Sequence, residues 1–424
     1  MRLGLALLGL CAGLAGSTGL VGCHRGEAVD PAVAQVRRLL DQRARAVLGH
    51  DEAAYLATGS AQGDPAAARR SATWFGNLAA VPLSSWTYRV LAVHRNGGTA
   101  RADAELRYRI TGYDHVPVTT SRTIQLRRRA GHWYVTADRP GPHALQQLWE
   151  QGRVVAVRGT HSLVLGVGQS RARLKEFVRL ADRAVPEVAR AWAAGGGGQD
   201  GQDGQNRAGA EPRRGWAGRV VVQVPGSLDG MARLLGSPAA TYRGIAAVTT
   251  GEAGGSPQAP ADRIIVNPEA YGVLSGFGRQ VVLTHETTHV ATRAATARTT
   301  PLWLSEGYAD WVGYRRTGRS PEQVAPELAQ AVRAGRVPTR LPVDADFGFS
   351  RQAGALAEAY EGAWLACRMI ADEHGAARLN RFYRAVGAHE GRGDAVDAAL
   401  RDVLGTSRAE FTARWRQYLR DQLA

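Results

Sequence analysis

Residues His285-Glu286-Thr287-Thr288-His289 lie in a stretch with helical patterning, and no other feature restricts this chain so tightly. Four residues make slightly more than one helical turn, so the two imidazoles stand one above the other on a single face, with a carboxylate beside them. The apolar run Phe277 to Leu283 leads into the motif and Val290 continues it, as expected of a helix packed on a core.

Two imidazoles on one turn suit zinc, and a catalytic zinc site takes three protein ligands and keeps a fourth position for water. The motif is one ligand short. After sixteen residues that follow His289, the segment Pro301 to Trp311 places Glu306 near the start of another expected helix, with Pro301 and Ser305 as helix-start residues. The metzincin pattern is excluded, because Thr292 and Ala295 stand where it requires Gly and His.

HETTH followed by the glutamate of Trp303-Leu304-Ser305-Glu306-Gly307-Tyr308-Ala309-Asp310-Trp311 resembles the gluzincin metallopeptidases, in particular the bacterial peptidase MA-like group. The resemblance implies that His285, His289 and Glu306 hold Zn2+ and that Glu286 is the general base. It also implies that Asp310 orients a ligand histidine. A partner of that kind fixes the imidazole tautomer. The spacing from His289 to Glu306 is shorter than in thermolysin or aminopeptidase N. Tyr360, in Ala359-Tyr360-Glu361-Gly362, occupies the place of a tyrosine that would donate to an oxyanion. Gluzincins pair extended substrate with an edge strand, and by that resemblance Ile264, Ile265, Val266 and Asn267 are the expected substrate strand. The implied activity is hydrolysis of peptide bonds in a peptide or protein substrate. The alternative is a catalytically silent envelope protein that binds peptides on the same scaffold.

The amino terminus bears on location. Arg2 precedes an uncharged stretch from Leu3 to Gly22, the form of a secretory leader. Leu20-Val21-Gly22-Cys23 resembles the bacterial lipobox, which implies cleavage before Cys23 and attachment of diacylglycerol to its thiol. The resulting expectation is a signal peptide over 1–22, a linker over 23–29, and an extracytoplasmic protein held at the outer face of the cell membrane by lipid. With Cys11 removed and Cys23 acylated, Cys367 is the single remaining cysteine, so no disulfide is expected within the mature chain.

The formal net charge of +15 is carried almost wholly by arginine, with Lys175 the single lysine. The arginines are scattered and no recognition motif accompanies them, so nucleic acid is not expected as a partner. Anionic lipid or wall polymers fit the charge. Nothing in the sequence bears on oligomeric state.

The expected fold class is α+β and multidomain. Residues 30–140 begin with a helix from Pro31 to Leu48 and continue with period-two patterning. Ala100, Ala102, Ala104, Leu106, Tyr108 and Ile110 face one side of a strand and Arg101, Asp103, Glu105, Arg107 and Arg109 the other. Turns are expected at Asn96-Gly97-Gly98 and Ala130-Gly131. This pattern resembles the cone-shaped nuclear-transport-factor-two and SnoaL-like fold, which by itself decides no function. His94, His115 and His132 are read as structural, and His374 and His389 as surface residues.

Leu148 to Gly168 is expected to bridge into a gluzincin-like domain over 150–424, with a flexible insertion at about 194–213 rich in Gly, Gln and Asp. That domain should contain a helix over Arg171–Trp192, a strand over Val220–Val224, a helix over Leu228–Leu235, and short strands at Ile245–Thr249 and Arg263–Asn267. Beyond Glu322 the chain is expected to be nearly all helix, around Trp364, Leu365, Met369, Phe382, Leu404, Phe411, Trp415 and Leu419, with a helix cap at Thr406 or Ser407.

Overall fold

A computed structural model describes residues 30–59, 65–194, 216–251, 259–348, 353–391 and 393–424. The leader, Cys23, the linker and all of the insertion except Ala194 lie outside the described residues. None of the described helices is long and apolar enough to cross a membrane. The fold is α+β, with one antiparallel and one mixed sheet.

Three helices open the chain: α1 (Pro31–Leu48), α2 (Glu52–Ala57) and α3 (Pro65–Leu78). An antiparallel meander follows, β1 (Leu83–Asn96), β2 (Thr99–Ile110), β3 (Val118–Arg129) and β4 (His132–Pro140), in sequential order. The alternation along β2 is realised: Ala100 through Ile110 are buried at every second position and pack with Val36, Leu40 and Val47 of α1. Both expected turns are two-residue hairpin loops, and the second carries positive φ at Ala130 (46°) and Gly131 (83°). Such a turn matches the natural twist of the strands it joins. Register breaks at Leu83/Ser85, Val90/Ala92 and Gln125/Leu126 bend the sheet around its helices.

The second sheet contains β5 (Val154–Arg158), β6 (Ser162–Val167), β7 (Val220–Val224), β8 (Ala247–Thr249) and β9 (Arg263–Val266), in the spatial order β5-β6-β7-β9-β8. Strands β6, β7 and β9 are parallel, and the edges β5 and β8 run antiparallel to their neighbours. The expected bridge between domains is therefore itself structured, because Val154 to Val167 supplies the first two strands of this sheet. Helices α4 (Arg171–Ala193) and α7 (Gly276–Thr292) cover one face, where Val164, Val222, Ile264 and Val266 meet Phe177, Val185 and Leu283. The other face, with Leu163, Leu165, Val221 and Ile265, joins α5 (Leu228–Leu235) and runs without a break into the core of the first sheet through Leu148 and Trp149. An ion pair reinforces that junction: the Arg263 Nη2 donates to both oxygens of Asp114 at 2.8 and 2.7 Å, and both side chains are buried.

After α6 (Pro268–Gly272) and α7 the chain is helical: α8 (Leu302–Tyr314), α9 (Pro321–Val324), α10 (Pro326–Arg333), α11 (Ala353–His374), α12 (Ala376–Ala388), α13 (Ala395–Ala399) and α14 (Arg408–Leu423). All eight residues expected in this core are buried, Cys367 lies buried and unbridged among them, and Ser407 caps α14 through a reciprocal pair with Glu410. Helices α8 and α11 approach closely at Gly307, where an added Cβ would stand 2.2 Å from the Ala363 carbonyl oxygen.

Glu361 of α11 accepts from the backbone N–H groups of Leu328 (2.6 Å) and Glu327 (3.4 Å) at the start of α10. Burial, with Glu327 beside it, pushes its pKa up to about 8. An acid whose folded pKa is raised binds its proton more tightly in the folded state, so stability declines as pH rises from the usual carboxylate range through about 8. Glu361→Gln keeps an acceptor and removes the titration. Its unfolding free energy is expected to exceed that of the parent by on the order of 1–2 kcal/mol at pH 9 and to match it at pH 5, as measured by urea unfolding at both values.

Candidate metal centre

Helix α7 begins at Ser275, whose side chain accepts from the N–H of Gly278. Its motif turn contains threonines, poor interior helix formers, and the hydroxyls return to carbonyls one turn back: Thr284 to Gln280, Thr288 to Thr284 and Thr292 to Thr288, at 2.8 to 3.0 Å. The helix thus buries a polar face with these hydroxyls satisfied, and leaves His285 and His289 partly exposed.

The two Nε2 atoms lie 3.0 Å apart, and Glu306 Oε2 of α8 lies 3.3 Å from the first and 3.6 Å from the second. His285 Nδ1 is 2.8 Å from Asp310 Oδ1. A carboxylate can only accept, so Nδ1 carries the hydrogen, and in the neutral ring the Nε2 of His285 holds the lone pair on the side of the other two donors. Two nitrogens and one carboxylate oxygen, aimed at one point, form a donor set for a borderline cation. Tetrahedral zinc with bonds of about 2.0–2.1 Å holds its ligand atoms roughly 3.3 Å apart. His285, His289 and Glu306 are the residues that would hold such a cation. Among the described residues these three form the one group so arranged.

The electrostatics agree with the donor chemistry. Burial alone would raise the Glu306 carboxyl, yet His289 and His285 hold it far below the usual carboxylate range. Burial opposes charge on His285, and Asp310 followed by Glu306 outweighs it, so that imidazole favours positive charge well above its ordinary range.

Glu286 is buried, and its Oε2 lies 2.6 Å from the Thr249 hydroxyl, which is also 3.1 Å from the Glu286 carbonyl oxygen. Nothing in the chain's patterning singles out Thr249, which is 37 positions away and has no motif around it. Tyr360 is partly buried in α11, its ring edge-on to Phe347 at 5.1 Å. Burial first, then Glu306, Asp310 and Glu286, raise its hydroxyl pKa, so it remains a proton donor at neutral pH and lies within the field of all three carboxylates.

One expectation fails. Ile264 to Val266 form β9, which is bonded to β7 on one side and β8 on the other, and Asn267 is fully buried with its amide donating to the Tyr242 carbonyl. These residues have no open backbone edge to offer a substrate. The edge strand is β8, ending at Thr249 beside Glu286, and among the described residues no strand pairs with its outer side.

His94, His115 and His132 are exposed and therefore have no part in the core, while His374 and His389 are partly exposed near helix ends.

Replacing Asp310 by Ala leaves the three donor atoms but frees the ring of His285. Zinc affinity is expected to fall about 10–100-fold, read by competition with a chromogenic chelator. No family model matches this chain, and no curated protein is significantly similar to it in sequence.

Proposed function

We propose that this chain is an exported, membrane-anchored zinc metallopeptidase of gluzincin type. The observation that carries the proposal is the convergence of His285 Nε2, His289 Nε2 and Glu306 Oε2 within 3.6 Å of one another, with Glu286 on the same helix. A zinc ion bound there would lower the pKa of a coordinated water towards about 7 and polarise a carbonyl.

The residues divide the remaining work. Glu286 accepts the proton of the attacking water and delivers it to the leaving amine. The Thr249 hydroxyl holds that carboxylate in one orientation, and Asp310 does the same for the ring of His285. Tyr360 donates its O–H to the oxygen that becomes negative in the transition state. The outer backbone of β8 offers N–H and C=O groups to an extended peptide, which would lie across Glu286 as a further strand. Export and attachment through lipid at Cys23 follow from the leader and lipobox pattern.

Metal analysis of the purified protein and cleavage of a generic peptide library test the proposal together. One zinc per chain with cleavage that a chelator abolishes and added zinc restores is the expected result. Stoichiometric zinc without cleavage of any peptide would overturn peptidase action and favour a peptide-binding protein.

A further inference from the structure

The described chain starts at Asp30, whose carboxylate pairs with Arg95 at 3.0 Å, beside the β1–β2 hairpin. That contact places the point where the chain enters the fold at one end of the first sheet. Arg128 N–H donates to Gly98 O at 2.7 Å, so the neighbouring β3–β4 hairpin closes the same end. The described residues of 65–70, 94–103 and 127–132 contain seven arginines (69, 70, 95, 101, 127, 128 and 129) and one carboxylate, Asp103, and Asp30, paired with Arg95, adds a second at this end. Asp103 is engaged by Arg101 and His94.

Between α3 and the two hairpins lies an open cavity of about 490 Å³, lined in part by Arg101, Arg127, His94 and Gln125, and no carboxylate of a described residue lies in its wall. Residues 30–140 as a whole hold sixteen arginines against nine carboxylates, so the excess charge is concentrated in this part of the chain.

We infer that this arginine-rich end of the first sheet is a docking surface for an anionic bilayer, with the cavity receiving the phosphate of a headgroup. The inference rests on the membrane-anchor part of the proposal above and is independent of the peptidase part. Six residues lie between Cys23 and Asp30, and the seven Cα steps that join them reach at most about 25 Å, so lipid at Cys23 would keep this end within one short tether of the membrane. A basic patch beside a lipid anchor strengthens the attachment, because arginines near an anionic surface each add to binding. Guanidinium groups also match phosphate oxygens in a two-pronged geometry. Docked by this end, the molecule would have a fixed orientation on the membrane.

The test uses the chain from residue 24 onward, which lacks the acylated cysteine and keeps every described residue. Sedimentation with vesicles of phosphatidylcholine, and of phosphatidylcholine with 30 mol% phosphatidylglycerol, is measured at 0.15 M salt. The parent protein is expected to partition at least tenfold better onto the anionic vesicles. The pair Arg101→Gln and Arg127→Gln should reduce that partitioning about tenfold, at an unchanged thermal midpoint. The same change at exposed Arg333 and Arg336, in α10 and just past its end, should leave it within twofold. Equal binding to both vesicle types, or equal loss from the two pairs of substitutions, would overturn the inference. Loss of peptidase activity alone would leave it standing, since the measurement requires neither zinc nor turnover.

Discussion

Glu286→Gln is expected to reduce turnover of a cleaved library peptide about 10³-fold while zinc remains at one per chain and KM changes little. A positioned general base contributes about 10²–10⁴ to rate, and an amide of the same shape cannot take up the proton. The carboxylate faces the Thr249 hydroxyl at 2.6 Å, and Gln can accept that same bond through its own oxygen, so packing is conserved. Steady-state kinetics with metal analysis on one preparation checks the result. A variant that retains more than about a tenth of the parent rate would remove Glu286 from its assigned role.

Glu306→Ala acts on a different quantity. It removes the single oxygen donor and leaves two histidines 3.0 Å apart, with no carboxylate among the ligand atoms. With one of three protein ligands gone, zinc affinity is expected to drop about a hundredfold or more, with activity lost in parallel. Differential scanning calorimetry with and without zinc gives a second reading. A ligand that binds only the folded state stabilises by RT ln(1 + [L]/Kd), so the parent should melt higher in zinc and the variant should not. An unchanged zinc-dependent shift in the variant would exclude Glu306 as a ligand. Asp310→Ala should fall between the two, since it alters the ring that donates and leaves the donor atoms in place.

Local patterning was legible where burial has a simple period. The alternation in β2, the helix at Leu228–Leu235, the strand at Val220–Val224 and the cap at Ser407 all follow from residue spacing and end chemistry within a few positions. The motif helix was readable for the same reason, because a four-residue spacing of two histidines has one outcome on an α-helix. The glutamate on α8 was reached through resemblance, and the structure adds the distances that bring it to the histidines.

The strand order was not legible. Ile245–Thr249 and Arg263–Asn267 are both short runs that include β-branched residues, and nothing within either indicates which is paired on two sides. The later one is inserted between β7 and β8, leaving the earlier one at the edge beside Glu286. A full complement of backbone partners is a property of the assembled sheet, and it reassigned the candidate substrate strand from β9 to β8.

The sequence alone determined the α+β class, the principal helices and strands, and the residues able to carry zinc chemistry, because side-chain periodicity and four-residue spacing act along the chain. Tertiary structure decided that Thr249 meets Glu286, that Asp114 locks onto Arg263 from 149 positions away, and that the first sheet and the second share one core. Those contacts depend on which surfaces bury each other, and burial between distant segments leaves no period in either of them.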